Sequence, residues 1–198
     1  MRSLAEAEIA LRAWDKKNWH LPPGNSTARY TSLHLAKAVF RALAKAERLS
    51  GGGRSSHDHL LQEFFNEMAG RLIEHSLRLC RAFDRPLTGI LLASCNHGCW
   101  SAADWANRHG DDAADDMGGT FAALMDGMTL LTALLEREGH EAAVNWRLAF
   151  NAVPLLMRGA LGASVNLMEG DGRFIAPFRE RLAELELAKR NEYAAARA

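Results

Sequence analysis

The stretch Ala142–Met168, AAVNWRLAFNAVPLLMRGALGASVNLM, limits what this chain can fold into more than any other. It holds no charged residue from Leu148 to Met157, and from Leu148 to Met168 only Arg158. A segment that is apolar on nearly every side must be wrapped by the rest of its chain or by a partner. Its length matches that of a membrane span. Pro154, Arg158, Asn151, Asn166 and two glycines favour a protein interior instead. The expectation is a buried central helix, kinked or broken at Pro154 into about 140–152 and 154–168. A lone cation in such a segment needs a carboxylate, a cluster of carbonyls or an exit to water. Asp126 and Glu169 are the candidate partners; without one, Arg158 marks where an anionic ligand should be sought.

The remaining segments are helical in pattern, with no two-residue alternation of the strand type. Leu4, Ala7, Leu11 and Trp14 form one stripe of a first helix over 3–19. Trp14 and Trp19 either pack on the core or offer an aromatic platform to a ligand. LPPGNST (21–27) reads as a loop. A second helix over about 31–49, capped by Thr31 or Ser32, turns Leu35, Ala36, Val39, Phe40, Leu43 and Ala46 inward. LSGGGRSS (49–56) reads as a hinge, and a long third helix follows over about 56–84. Leu87–Leu92 is a short apolar helix or buried turn. The aspartates of DDAADD (111–116) suit the start of a fourth helix, about 112–138, whose face carries Met117, Leu124, Met125, Met128 and Leu131. EGDGRFIAP (169–177) reads as a turn, and Pro177 as the first position of a last, weakly amphipathic helix. The 198 residues are 48% hydrophobic and 24% charged, the profile of one folded globular unit. The expected fold is therefore all-α: a single-domain helical bundle over 1–198, of six to eight helices around a buried kinked central helix. Loops near 20–30 and 50–56 are expected to be flexible, and the C-terminal helix 177–197 peripheral.

Lys+Arg and Asp+Glu both number 24, so the formal net charge is zero. Nucleic acid or another anion would need a local patch rather than a whole-molecule field. Lys37, Arg41, Lys45 and Arg48 form such a stripe on the second helix. It reads as a solvated face or as a contact to phosphate or an acidic partner, and no aromatic residues interleave with it for base stacking. On the third helix His59, Glu63, Glu67 and Glu74 share a stripe, with Arg71 and Arg78 at i+4 from Glu67 and Glu74. Exposed Glu-to-Arg pairs explain it without a metal. Cys95, His97 and Cys99 supply at most three of the four ligands that zinc wants, so they read as buried free cysteines, a metal set or a reactive thiol with His97 as base. No cofactor is called for. Ala106 and Gly110 have helix-turn-helix spacing, but the aspartates that follow would repel DNA. Three cysteines, an odd number, and an N-terminus with Glu6 and Glu8 in place of an apolar core suggest a reducing cytoplasm, of bacterial type.

Residues 31–92 run helix, loop, helix ending Leu-Arg-Leu-Cys-Arg-Ala-Phe-Asp, apolar turn. This layout resembles the MazG-type all-α nucleotide pyrophosphohydrolases, which hold magnesium with Glu-Glu-x-x-Glu on one helix and Glu-x-x-Asp on the next. Glu67 is the one match, in Glu67-Met68-Ala69-Gly70, with Gly70 where that family has aspartate. The first motif falls on Phe40-Arg41-Ala42-Leu43-Ala44, which has no acid. The resemblance thus implies at most an inactive relative, because hard magnesium ions need several carboxylates. The leading functional expectation is a non-enzymatic helical interaction or assembly protein, self-associating or bound to a protein partner through the small-residue and methionine faces of 117–168. A nucleic-acid-associated subunit using the basic stripe is the alternative.

Overall fold

The computed structural model describes the backbone of residues 2–21, 26–50, 54–95, 98–115, 117–136, 142–164 and 172–196; the side chains of 42–67, 110–121, 142–145 and 161–173 lie outside the description. The described residues form eight α-helices and no strand. These are α1 (Leu4–Asn18), α2 (Thr27–Ser50), α3 (Arg54–Ala82), α4 (Leu87–Ala93), α5 (Ala102–Asp115), α6 (Met117–Glu136), α7 (Ala142–Ser164) and α8 (Gly172–Ala195). The all-α helical bundle expected from the sequence is the observed fold. No described helix is long and apolar enough to cross a membrane.

Two helices organise the packing. α7 lies against α6, α3 and α5, and α3 lies against α2, α7 and α8. Val153, Leu156 and Met157 of α7 are fully buried, as the charge-free run requires. The helix runs unbroken through Pro154, so the expected division into two helices does not occur. Burying each large apolar side chain stabilises by about 1.5–3 kcal/mol, enough to offset the roughly 3 kcal/mol that an interior proline costs. At Gly159 a Cβ would stand 2.3 Å from Leu124 Cδ2, and Leu124 is itself fully buried on α6. The small residues of α7 thus serve a contact inside the chain.

Several helix boundaries differ from the sequence reading. α2 begins at Thr27 and α3 at Arg54, so the two connections are shorter than expected, and Pro22–Asn25 and Gly51–Gly53 lie outside the described residues. Ser26 caps α2, its Oγ accepting from Arg29 N at 3.1 Å, while Thr31 and Ser32 are buried inside the helix. Phe40, assigned inward, is 59% exposed. Ser101 caps α5, accepting from Asp104 N at 3.1 Å, and that helix runs on to Asp115. The aspartates 111–115 therefore close a helix rather than open one. α8 begins at Gly172 and passes through Pro177, because Phe174, Ile175 and Phe178 bury themselves in the core ahead of and beyond it. Its first half is thus central, while its second half exposes Leu187 and Tyr193.

Candidate functional site

α3 carries the chemistry. From Leu72 to Cys80 each of its residues is buried, including Glu74, His75, Ser76 and Arg78. A helix wrapped on all sides takes its polar residues inside, where charges must be paired. Glu74 and Arg78 are 1% and 3% exposed, so this pair, expected at the surface, is in fact buried; the side chain of Glu67, expected to pair with Arg71, lies outside the description. Arg78 Nη1 donates to Glu74 Oε1. Its Nη2 and Nε donate to Asp15 Oδ1 at 2.6 and 3.1 Å. Arg81 Nη2 reaches Asp15 Oδ2 at 2.5 Å, and Arg181 Nε reaches Glu74 Oε2 at 2.6 Å. Asp15 belongs to α1, where it extends the buried stripe Leu4, Ala7, Leu11 by one more step of i+4. The chain therefore ties α1, α3 and α8 together with one buried charge network.

Close approach makes the α8 end of this network. A Cβ at Gly70 would lie 2.5 Å from the Pro177 carbonyl oxygen and 2.7 Å from Arg181 Cβ. A glycine at position 70 lets α8 come near enough for Arg181 to reach Glu74, one helical turn along α3.

A cavity of about 240 Å³ opens against this network. Lys37 and Arg41 of α2, Arg71, Glu74 and Arg78 of α3, and Arg181 of α8 line it, together with Trp14, Trp19, Tyr30, His34 and His75. Five cations thus face one carboxylate, and that carboxylate is already held by two of them. An aromatic ladder forms the wall: Trp19 to Tyr30 at 5.7 Å between centroids, Tyr30 to His34 at 4.2 Å and His34 to His75 at 5.2 Å. The Arg78 guanidinium lies 4.9 Å from the Trp19 ring centroid, a cation–π contact. Trp14 and Trp19 therefore cover a charge network rather than simply filling an apolar core.

Burial drives His75 down from its ordinary value of 6.5 to about 3, with Arg78 and Arg181 adding to the shift. His34 is lowered too, by burial and then by Lys37. Burial alone would raise the Glu74 carboxyl, but the guanidiniums of Arg78 and Arg181 hold it below the usual range. At neutral pH the site therefore contains a neutral imidazole, an ionised carboxylate and fixed cations. Nδ1 of His75 is buried with no hydrogen-bond partner among the described residues. Such an atom normally has a partner, and its absence costs about 1–3 kcal/mol.

A larger depression of about 450 Å³ lies between α1 and α8 and shares Trp14. Lys189 there pairs with Glu192 at 2.7 Å in an exposed contact. Lys17, Glu186 and Arg190 there are exposed to solvent, so the smaller cavity is the better candidate.

Of the residues singled out from sequence, Lys37 and Arg41 meet at the cavity mouth, and the side chains of Lys45 and Arg48 lie outside the description. Arg158 lines a different cleft. Cys95 and Cys99 are bonded to each other, so neither is the free thiol expected, and a bonded sulfur is not a thiolate ligand. His97 lies outside the described residues. Cys80 is buried and free, with burial pushing its thiol up. The odd cysteine count thus resolves into one pair and one inert thiol, which removes it as an argument for a reducing compartment. Among the described residues no three His, Cys, Asp or Glu converge as metal ligands do.

Asp15, Tyr30, His34, His75 and Arg181 were not legible as site residues. The one available signal was Asp15 on an apolar stripe. No family model, curated protein or solved structure matches the chain, so nothing beyond its layout carries the likeness to the pyrophosphohydrolases.

Proposed function

We propose that this protein binds a compact, multiply charged anion of the phosphate class in the cavity between α1, α2, α3 and α8. The observation that carries the reading is the excess of guanidinium and ammonium groups over carboxylates around a small, aromatic-walled cavity. Guanidinium groups suit phosphate oxygens because they donate two parallel hydrogen bonds. The buried network fixes Arg78 and Arg181 before any ligand arrives, which lowers the ordering cost of binding. A volume of about 240 Å³ favours inorganic phosphate, pyrophosphate or a small phosphorylated compound over a large ligand.

Calorimetric titration with pyrophosphate at low salt tests it. Binding should be salt-sensitive and weaken more than tenfold in the Lys37→Glu/Arg41→Glu double variant. No heat in the wild-type protein, or equal affinity in the double variant, would end the proposal. Displacement of pyrophosphate by single-stranded DNA would point instead to a nucleic-acid partner for the α2 stripe.

A second reading, a helical assembly protein, has support in the outer face of α2, where Leu33 and Phe40 are 45% and 59% exposed at i, i+7. The faces of 117–168 support it less, since Leu124 and Gly159 are occupied with each other. Light scattering decides it. A mass of twice 21.8 kDa, returning to the single-chain value in Phe40→Glu, is the expected signature, and a wild-type monomer at tens of micromolar would reject it.

A further inference from the structure

A second cleft, of about 370 Å³, lies between α4, α5 and α7, away from the charge network. One face of α7 supplies Asn151, Pro154, Leu155 and Arg158, at i, i+3, i+4 and i+7. The opposite face, with Val153, Leu156, Met157 and Ala160, is buried in the core. α7 therefore has an apolar side facing inward and a side with a single cation facing the cleft.

The other walls are largely apolar, with His109 packed on the Trp105 ring at 4.5 Å between centroids. Trp105 is 1% exposed, and its Nε1 donates to Ser94 Oγ at 3.2 Å. Ser94 Oγ in turn donates to the Leu91 carbonyl at 2.7 Å. Ala93, Phe150, Pro154 and Leu155 add apolar surface, and among the described residues no aspartate or glutamate lines the cleft.

Arg158 stands apart from this pattern. It is half-buried, and it makes no hydrogen bond or ion pair with the described residues. Asp126, one of the two partners the sequence offered, is exposed, and Glu169 lies outside the described residues. A guanidinium carries five donors in a planar fork that fits a carboxylate edge-on. With no partner among the described residues, that fork is open to a ligand carboxylate at the cleft. A single cation above an apolar cleft matches a single negative charge on an apolar body, whereas the first cavity, with several cations, matches a multiply charged anion. The volume falls in the range of small-molecule sites, about 300–1,000 Å³.

We propose that this cleft binds a small monocarboxylic acid with an apolar ring or chain, the carboxylate paired with Arg158 and the apolar body lying along Phe150, Leu155 and Trp105. Asn151, on the same face of α7, offers an amide N–H to the second carboxylate oxygen. This site is independent of the phosphate-class cavity.

The test uses 2-naphthoate and its uncharged counterpart 2-naphthylmethanol as calorimetric probes of the full chain. Wild-type protein should bind the acid at least tenfold tighter than the alcohol. Arg158→Gln should abolish that preference while keeping the wild-type melting curve, and Arg158→Lys should restore part of it. The Lys37→Glu/Arg41→Glu variant should bind the acid as the wild type does, which separates this site from the first. Equal binding of acid and alcohol by the wild type, no binding of the acid at millimolar concentration, or a preference that survives Arg158→Gln would overturn the proposal.

Discussion

Replacing Arg78 with alanine should cost about 3–5 kcal/mol of folding stability, the usual penalty for breaking a buried ion pair. Arg78 is 3% exposed and neutralises Asp15 and Glu74, which are 5% and 1% exposed. Without it both carboxylates keep only the partly exposed Arg81 and Arg181. They must then take up protons or admit water, and either route opens the contacts of α1 and α8 with α3. Urea denaturation at neutral pH measures the loss, and a change below about 1 kcal/mol would contradict a buried network. Arg78→Lys should fall between the two proteins, since it keeps the charge but cannot reach both carboxylates with a planar fork. The triple variant Asp15→Leu/Glu74→Leu/Arg78→Met is the informative companion. Removing a whole buried network for apolar residues of similar size is often neutral or stabilising. That variant should fold and lose pyrophosphate binding, which separates the network's part in the site from its part in the fold.

Acidification should destabilise the protein well before its carboxylates titrate. His75 titrates near 3 in the folded protein, against an ordinary value of 6.5. Between those values the unfolded chain binds the proton and the folded chain does not, so stability rises with pH across the window and is lost as pH falls below 6.5. One such group contributes a slope of at most about 1.4 kcal/mol per pH unit, or about 2–3 kcal/mol by pH 4.5. His34, lowered in the same direction, adds to the same limb. Glu74 enters only below its ordinary value of 4.5. Its folded carboxyl is depressed, so the unfolded chain again takes the proton first. Urea midpoints at pH 7.5, 5.5 and 4.5 test this assignment. His75→Gln should flatten most of the loss between pH 6.5 and 4.5, and parallel profiles for the two proteins would rule His75 out as its source.

The burial of α7 was legible in the sequence and that of the charged residues of α3 was not, and the difference is physical. α7 has no charge from Leu148 to Met157, so the burial of that run follows from composition alone. α3 is as deeply wrapped from Leu72 to Cys80, but its charges satisfy one another inside the fold. An i, i+4 Glu-to-Arg pair has the same spacing whether it faces water or faces Asp15, and periodicity cannot separate the two. Asp15 held the missing information, because a carboxylate continuing the stripe Leu4, Ala7, Leu11 must meet a cation if that stripe is buried. Which cation depends on the fold bringing Arg78 and Arg81 of α3 within reach of Asp15, which tertiary packing sets. Pro177 does not start its helix and Pro154 does not divide its own, for a related reason. Local rules end or divide a helix at Pro154 and Pro177, whereas the burial of Val153, Leu156, Phe174 and Phe178 carries both helices through. Arg158 was readable as an isolated cation, and it has no partner among the described residues.

The central claim is that a multiply charged anion sits against the aromatic ladder and the fixed guanidiniums. Long-range ¹H–¹⁵N spectra of the imidazoles, recorded at low salt while pyrophosphate is added, test it most directly. Of the eight histidines, His34 and His75 should move first and with one common Kd, and His75 Nδ1 should show the change expected of an atom gaining a hydrogen-bond partner. Unmoved His34 and His75 resonances in the presence of saturable pyrophosphate binding, or all histidines shifting together, would contradict it.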